Sequence, residues 1–374
     1  MSKIRIGFVG VGGMGQAAHL HHYVNNGDCE VVAIAEIRPK MRAAVQHRWN
    51  IPHAFATHTE MLAAHASGVC PLDGIVAIQQ FTLHGQLVPQ LLAAKIPVIT
   101  EKPIGRSTEA ADLIIAAEQA NPGSRSVVGY HKRSDPATAW VTAKMRELAK
   151  SGELGTLRYV RVTMPPGDWI AGGFVQNIWT DDPGFTDKVA WDPIPAGFTE
   201  QQAKDHEGFV NYYIHQVNLL RLLLGEDYRA TYADPSGVVL HVHSDSGVPA
   251  VLEMAPWSNT TEWQEAAVVC YEKGWIRLRL FAPLTALRAG EVEMNVDGGN
   301  GDNGGNPCTI RPTMPHIGAM QQQAANFLKL IRGDTTDLCG AADAKKDIQI
   351  ADAYIRLMAA HKAQQQASGT KAGV

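Results

Sequence analysis

Directly after the apolar run 4–9 the chain reads Gly10-Val11-Gly12-Gly13-Met14-Gly15, placing three glycines at the G-x-G-x-x-G spacing. One such glycine makes a tight turn out of a strand, one lets the backbone approach an anion, and one lets a helix pack close to the strand. The unpaired N–H groups and positive end of that helix then face the anion. Three glycines alone also occur in ordinary glycine-rich turns, so the context decides. Residues 14–25 lack proline and read as a helix, Asn26-Gly27 stops it, and a second apolar run covers 30–36. Glu36 closes that run 21 positions after Gly15, where a carboxylate meets the hydroxyls of an adenosine ribose. Gly10, Gly12, Gly13, Met14, Gly15 and Glu36 are therefore expected to hold a dinucleotide. Arg38 bears on the choice of cofactor: Glu36 repels a 2'-phosphate and favours NAD, whereas Arg38 could pair with that phosphate. NAD is the expectation and NADP the alternative.

The length of 374 residues suggests about two domains. With 33 Lys and Arg against 37 Asp and Glu, the formal charge is -4 and the basic residues form no runs, which argues against nucleic acid or an anionic membrane surface as partner. No apolar stretch is long enough to span a bilayer, and the first strand begins at once, leaving no room for a secretion signal. A cytoplasmic protein is expected. The five cysteines, at 29, 70, 270, 308 and 339, show neither a C-x-x-C pair nor metal spacing and read as free thiols.

Strand and helix patterns continue to alternate. Residues 39–49 read as helix, Thr57-x-x-Glu60 as a capping box, 74–78 as strand, 83–94 as helix and 97–100 as strand. This order implies a parallel, doubly wound sheet, in which ligands bind beyond the carboxyl ends of the strands. The residues just past position 100 should face the cofactor, and they are Glu101-Lys102-Pro103. A lysine there can donate to a sugar hydroxyl, and burial near a cationic ring would lower its pKa toward proton transfer.

At this point the chain resembles the glucose-fructose oxidoreductase, inositol dehydrogenase and MocA group of NAD(P)-dependent enzymes. The resemblance rests on Gly10, Gly12 and Gly15, Ala35-Glu36, His84, and Glu101-Lys102-Pro103. It extends to Gly129-Tyr130-His131-Lys132-Arg133 and to the segment from Glu207 to His215. It implies a Rossmann domain, placed at 1–130, and an α+β domain with a large, open, mostly antiparallel sheet at 131–374 that carries the substrate site and the oligomer contacts. It also implies that His84, Glu101 and Lys102 lie on the cofactor side, and that Lys102 and His215 are the acid/base pair, His215 taking the hydroxyl proton. Tyr130, Arg133 and Asn211 fall on the substrate side. Many members carry aspartate where this chain has Asn211 and Asn218; asparagine orients a partner but carries no charge.

The second half supports that architecture by itself. Strands are expected at 157–163, 228–233, 237–243, 250–255, 265–271 and 275–281, after a helix at 212–224, with closing helices at 317–331 and 341–366. The tail from Ala367 and the Gly/Asn-rich stretch 297–306 read as a mobile end and a hairpin loop. A long segment, 164–208, is rich in Pro, Gly and aromatics, including Trp169, Phe174, Trp179, Phe185 and Trp191. Such connections serve as lids or as subunit-contact arms. Aromatic faces beside carboxylates suit a sugar, so Trp169 and Trp179 are expected to touch substrate. His19, His21, His22, His241 and His243 lack the ligand set of a metal site, and no metal is expected.

The expected function is NAD-dependent oxidation of a secondary alcohol on a sugar, glycoside or cyclic polyol. Two other readings stay open: a glycoside hydrolase using transient oxidation by NAD, and a non-catalytic nucleotide-binding regulator. An open sheet of this size predicts a homodimer or homotetramer.

Overall fold

The computed structural model describes residues 2–183, 191–254, 261–297 and 306–368. The tail beyond 368, Phe185 and most of the 297–306 stretch lie outside the described residues. Two compact units emerge. One comprises Met1–His131, Gly172–Gly197 and Met320–Ile348; the other comprises Lys132–Ala171, Phe198–Ala319 and Gln349–Val374.

The first unit is built on a seven-stranded sheet. Six parallel strands, β1 (Ile4–Val9), β2 (Cys29–Ala35), β3 (His53–Phe55), β4 (Gly74–Ala77), β5 (Pro97–Glu101) and β6 (Arg125–Gly129), lie in the order β6-β5-β4-β1-β2-β3. Strand order therefore reverses beside β1, which leaves a crevice at the carboxyl ends. The helices are α1 (His21–Val24), α2 (Pro39–Trp49), α3 (His58–Ala66), α4 (His84–Leu92) and α5 (Thr108–Ala120). Ile6, Phe8, Ile34, Val76 and Ile99 are fully buried, as a sheet covered on both faces requires. At α3, Thr57 Oγ1 accepts from the Glu60 N–H, but Glu60 reaches back to the Ala56 N–H rather than to that of Thr57.

The expected division into 1–130 and 131–374 needs correction, because the chain returns to this sheet twice. The helix Ala319–Ile331 puts Ala324, Phe327 and Leu328 into the same apolar cluster as Ile6 and Phe8. The short strand Cys339–Gly340 pairs antiparallel with β6. An amphipathic helix must bury its apolar stripe somewhere, and here the partner lies three hundred residues away in sequence.

The second unit is an eight-stranded sheet in the order β14-β13-β12-β11-β7-β10-β9-β8. Its strands are β7 (Leu157–Thr163), β8 (Tyr228–Ala233), β9 (Val239–Ser244), β10 (Pro249–Glu253), β11 (Glu265–Tyr271), β12 (Gly274–Leu280), β13 (Glu291–Val296) and β14 (Cys308–Ile310). Among the described residues of this sheet, only β7 and β10 pair parallel. Burial alternates along β9 to β13: Leu240, Val242, Leu252, Val269, Ile276, Leu278 and Met294 form the buried face, against which the helices Pro136–Ser151 and Ile214–Leu224 pack. The opposite face carries charge ladders such as Arg277–Glu293 and Arg279–Glu291. The helix expected at 212–224 is Ile214–Leu224, and a further helix, Glu200–Tyr212, precedes it out of the segment 164–208; between them stands Tyr213, whose hydroxyl donates to the Met254 carbonyl.

Phe327 is fully buried in the nucleotide unit. Phe327→Ala is expected to destabilise that unit by about 3–5 kcal/mol, read as a lowered denaturation midpoint for the Rossmann sheet. An unchanged midpoint would mean that the returning helix contributes nothing to its core.

Candidate functional site

In the first unit, β1 runs into the glycine turn and a π-helical turn, Gly15–Leu20, that continues as α1. Gly10 has φ +88°, and a Cβ there would lie 2.3 Å from the Ile78 carbonyl oxygen. At Gly15 a Cβ would lie 2.6 Å from the Gly10 carbonyl oxygen. Neither position admits a side chain, so the backbones of β1, of the turn and of the residue after β4 close up into a cradle.

Beside it opens a cleft of ≈ 660 Å³, lined among others by Gly10, Gly12, Glu36, Arg38, Thr57, His58, Gln79, Leu83 and Gln90. Glu36 is 5% exposed, and its carboxylate accepts four hydrogen bonds: from Val11 N, Arg38 N, Arg38 Nε and Arg38 Nη2, at 2.8 to 3.1 Å. Burial pushes the Glu36 carboxyl up, yet Arg38 and the Val11 amide outweigh it and hold the group below the usual carboxylate range. Arg38 Nη2 lies 3.3 Å from where a Cβ on Gly12 would stand, so the guanidinium sits over the glycine turn. The cradle, the acidic end of β2 and the cleft together fit a dinucleotide. Thr57, His58, Gln79 and Gln90 also line it; the first three are marked in the sequence only by following β3 and β4, and Gln90 lies on α4.

Residues 101–103 follow β5. Glu101 is buried, with Oε1 2.6 Å from His19 Nε2 and Oε2 accepting from the Lys102 amide. Burial raises the Glu101 carboxyl, and the His19 imidazole with Lys102 more than offsets this, leaving it below its ordinary value. His19, which carries no functional mark in the sequence, thus braces the strand end. Lys102 is half-buried.

His84, expected to touch cofactor, is instead fully buried, with Nδ1 3.0 Å from the Pro103 carbonyl and Nε2 3.2 Å from Thr100 Oγ1. It supports the turn that carries Lys102 from beneath. Tyr130, expected on the substrate side, is 1% exposed and among the largest wholly buried side chains. Trp179 packs on Gly13 of the glycine turn.

In the second unit, His215 is 8% exposed near the start of the helix Ile214–Leu224. Asn211 is exposed near the end of the preceding helix, Glu200–Tyr212. Arg133 Nε donates to Asn218 Oδ1 at 2.7 Å, joining two residues marked from sequence. A buried network stands next to them: Lys132 Nζ bonds Glu265 Oε2, Trp263 Nε1 donates to the same oxygen at 3.1 Å, and Gln216 Nε2 donates to Oε1 at 2.8 Å. Lys132 also lies over the Trp263 ring. Gln216 follows His215 directly, so this network pins the turn of helix that bears the imidazole. Trp169 packs with Trp263, Tyr212 and Tyr213 around Met164.

Residues 4–129 match the model of the oxidoreductase family with the NAD-binding Rossmann fold, the glucose-fructose oxidoreductase, inositol dehydrogenase and MocA group. That stretch runs from the start of β1 to the end of β6 in the first unit. The chain is 30% identical over 164 residues to inositol 2-dehydrogenase of Corynebacterium glutamicum (strain R), which covers 43% of this chain and 45% of that one. The match thus spans less than half the length of this curated relative. Across 96% of the chain the fold follows that of aldose-aldose oxidoreductase from Caulobacter crescentus, with TM-score 0.68, 16% identity and 98% of that chain covered. It likewise follows the WlbA dehydrogenase from Bordetella pertussis, solved with NADH and UDP-GlcNAcA, at TM-score 0.65 and 18% identity, covering 97% of that chain. Both likenesses concern the fold. No helix among the described residues is long and apolar enough to cross a membrane.

Two outcomes are expected. Glu265→Ala leaves Lys132 buried without its carboxylate and should destabilise the second unit by about 3–5 kcal/mol, measured by chemical denaturation; a loss below about 1 kcal/mol would contradict a buried pair. The His84 imidazole is pushed down to about 4 by burial, against the pull of the Pro103 carbonyl, from an ordinary value of 6.5. Between these pH values the unfolded chain binds more protons, so stability should fall by up to about 3 kcal/mol as pH drops from 6.5 to 4. Replacing His84 by glutamine should flatten that part of the pH–stability curve.

Proposed function

We propose that this protein is an NAD-dependent dehydrogenase that oxidises a secondary alcohol of a sugar, glycoside or cyclic polyol. The observation that carries the reading is the cleft at the carboxyl ends of β1 and β2, bounded by side-chain-free glycines and by the buried Glu36. NAD, when bound, supplies the nicotinamide that accepts a hydride.

The remaining work falls to the chain. Glycines 10, 12 and 15 let the backbone reach the pyrophosphate, and Glu36 receives the adenosine ribose. Glu36, held ionised, repels a 2'-phosphate, and the Arg38 fork is already engaged by that carboxylate, which favours NAD over its 2'-phosphorylated form. His215, whose ordinary pKa lies near neutrality, takes the proton of the reacting hydroxyl. Lys102 donates to the substrate oxygen, and the contacts of Glu101 with His19 and the Lys102 amide fix the backbone that presents it. Arg133, Asn211 and Trp169 bind hydroxyls and C–H faces of the substrate. The sheet face that carries the charge ladders is the surface proposed for a homo-oligomer.

The test is absorbance at 340 nm with NAD and a panel of inositols, aldoses and glycosides, with released sugar assayed in parallel. NADH formed in step with ketone is expected. Sugar release without net NADH would replace this reading with a redox-assisted glycosidase. His215→Ala should lower kcat by about 10²–10⁴-fold while NADH still binds. Glu36→Ala should weaken NADH binding by roughly ten- to a hundredfold, the worth of a charged hydrogen bond.

A further inference from the structure

Toward the β14 edge of the second sheet lies a cavity of ≈ 560 Å³ whose described lining belongs wholly to the second unit and includes neither His215 nor Arg133. Four arginines converge on it: Arg277 and Arg279 from β12, Arg288 from the residues before β13, and Arg311 from the residue after β14. Register accounts for two of them. Arg277 and Arg279 stand two apart on one face of β12, opposite Glu293 and Glu291 of β13, and make the charge ladder of that face. Arg288 and Arg311 come in addition, and each takes a carboxylate that the ladder already uses. Arg288 Nη2 donates to Glu291 Oε1 at 3.0 Å, and Arg311 Nε donates to Glu293 Oε2 at 2.7 Å. Within the described lining, four guanidiniums thus share two carboxylates, while Glu262, 3.7 Å from Arg279, adds a third from outside it. Positive charge remains in excess.

The cavity is also built to hold its shape. The Arg288 guanidinium lies 3.6 Å and that of Arg279 5.4 Å from the centre of the Phe281 ring, and Arg277 lies 4.8 Å from that of Trp275. The stretch that carries Arg288 is fixed at Gly290, whose N–H donates to the buried Asp135 carboxylate at 3.0 Å, and where a Cβ would come within 2.7 Å of the Arg279 carbonyl oxygen. Pro312, Met314 and Pro315 add an apolar wall. The Arg288 and Arg311 side chains are 56% and 74% exposed. Ion pairs so open to water contribute little, so these forks can turn from a shared carboxylate to a stronger acceptor.

We propose that this cavity is a second ligand site that takes a phosphate monoester, with Arg288 and Arg311 on the phosphate oxygens and Pro312, Met314 and Pro315 against the organic body. A phosphate monoester carries close to two negative charges at neutral pH and presents three strong acceptor oxygens. Guanidinium forks match that geometry in pairs, which a single carboxylate cannot use as fully. The site shares no lining residue with the cleft beside the glycine turn and stands whether or not that cleft holds NAD.

Isothermal titration calorimetry of the full chain with phenyl phosphate, at low salt, tests the assignment; this probe has no alcohol for a polyol site to recognise. Benzoate serves as the singly charged comparison, and the titrations are repeated on Arg288→Gln and Arg311→Gln, with circular dichroism to show that each is folded and light scattering to follow its mass. One phenyl phosphate is expected per chain, bound more tightly than benzoate, and each substitution should weaken it by about tenfold or more, as loss of a charge-assisted hydrogen bond does. Binding that both folded variants retain unchanged places the phosphate elsewhere and overturns the site. Benzoate bound as tightly as phenyl phosphate overturns the monoester. A parent chain that binds no phenyl phosphate, with variants that lower the mass of an oligomer, overturns the proposal and assigns the arginines to contact with a second copy of the chain.

Discussion

The nucleotide unit depends on how closely two stretches of backbone approach at the mouth of its sheet. Gly10 meets the Ile78 carbonyl, and Gly15 meets the Gly10 carbonyl, at separations that a β-carbon would close completely. Through that contact the helix after β1 starts hard against the strand, the end of β4 comes alongside, and the space above stays open for a ligand. Glu36 depends on the same approach, since one of its four donors is the Val11 amide, inside the turn. A methyl group at either glycine would shift the carboxylate as well as the phosphate cradle.

What could be read from the sequence was local. The glycine spacing, Glu36, the alternation through 100 and most strands of the second sheet are set by residues within a few positions of one another. β3 and β6 escaped notice. The three residues of β3 are all half-buried and show no alternation, and β6 is short and preceded by a turn. The helix Glu200–Tyr212 went unread because it lies largely within the Pro-, Gly- and aromatic-rich segment 164–208, and the Tyr213 hydroxyl that follows it is held by a carbonyl 41 positions away. Candidate residues divided in the same way. The glycines, Glu36 and Arg38 sit where their spacing put them, whereas His84 and Tyr130 turned out to be interior because burial is decided by elements that pack over them. The partners Lys132 and Glu265 are 133 positions apart, and neither carries a local mark of its burial.

The two units treat charge differently. In the first, two buried carboxylates lie at strand ends, each held by a cationic or imidazole partner: Glu36 by Arg38, Glu101 by His19. In the second, the buried carboxylate of Glu265 gathers an ammonium, an indole and an amide from three separate elements. Removing water from such a group is costly unless all its acceptor positions are used, so the cluster admits one arrangement of the chain around it. His215 directly precedes Gln216 in the helix, which ties the position of its imidazole to this rigid point.

The return of Ala319–Ile331 and Cys339–Gly340 to the first sheet bears on the order in which the protein is made. A ribosome emits β1 to β6 long before Phe327, so for most of synthesis the sheet exists with part of its core missing and with the edge of β6 unpaired. Such an edge is a template for other chains, and uncovered apolar surface attracts them. The nascent nucleotide unit is therefore most exposed to aggregation while the second unit is being translated, and it is released from that hazard only when nearly nine-tenths of the polypeptide has left the tunnel.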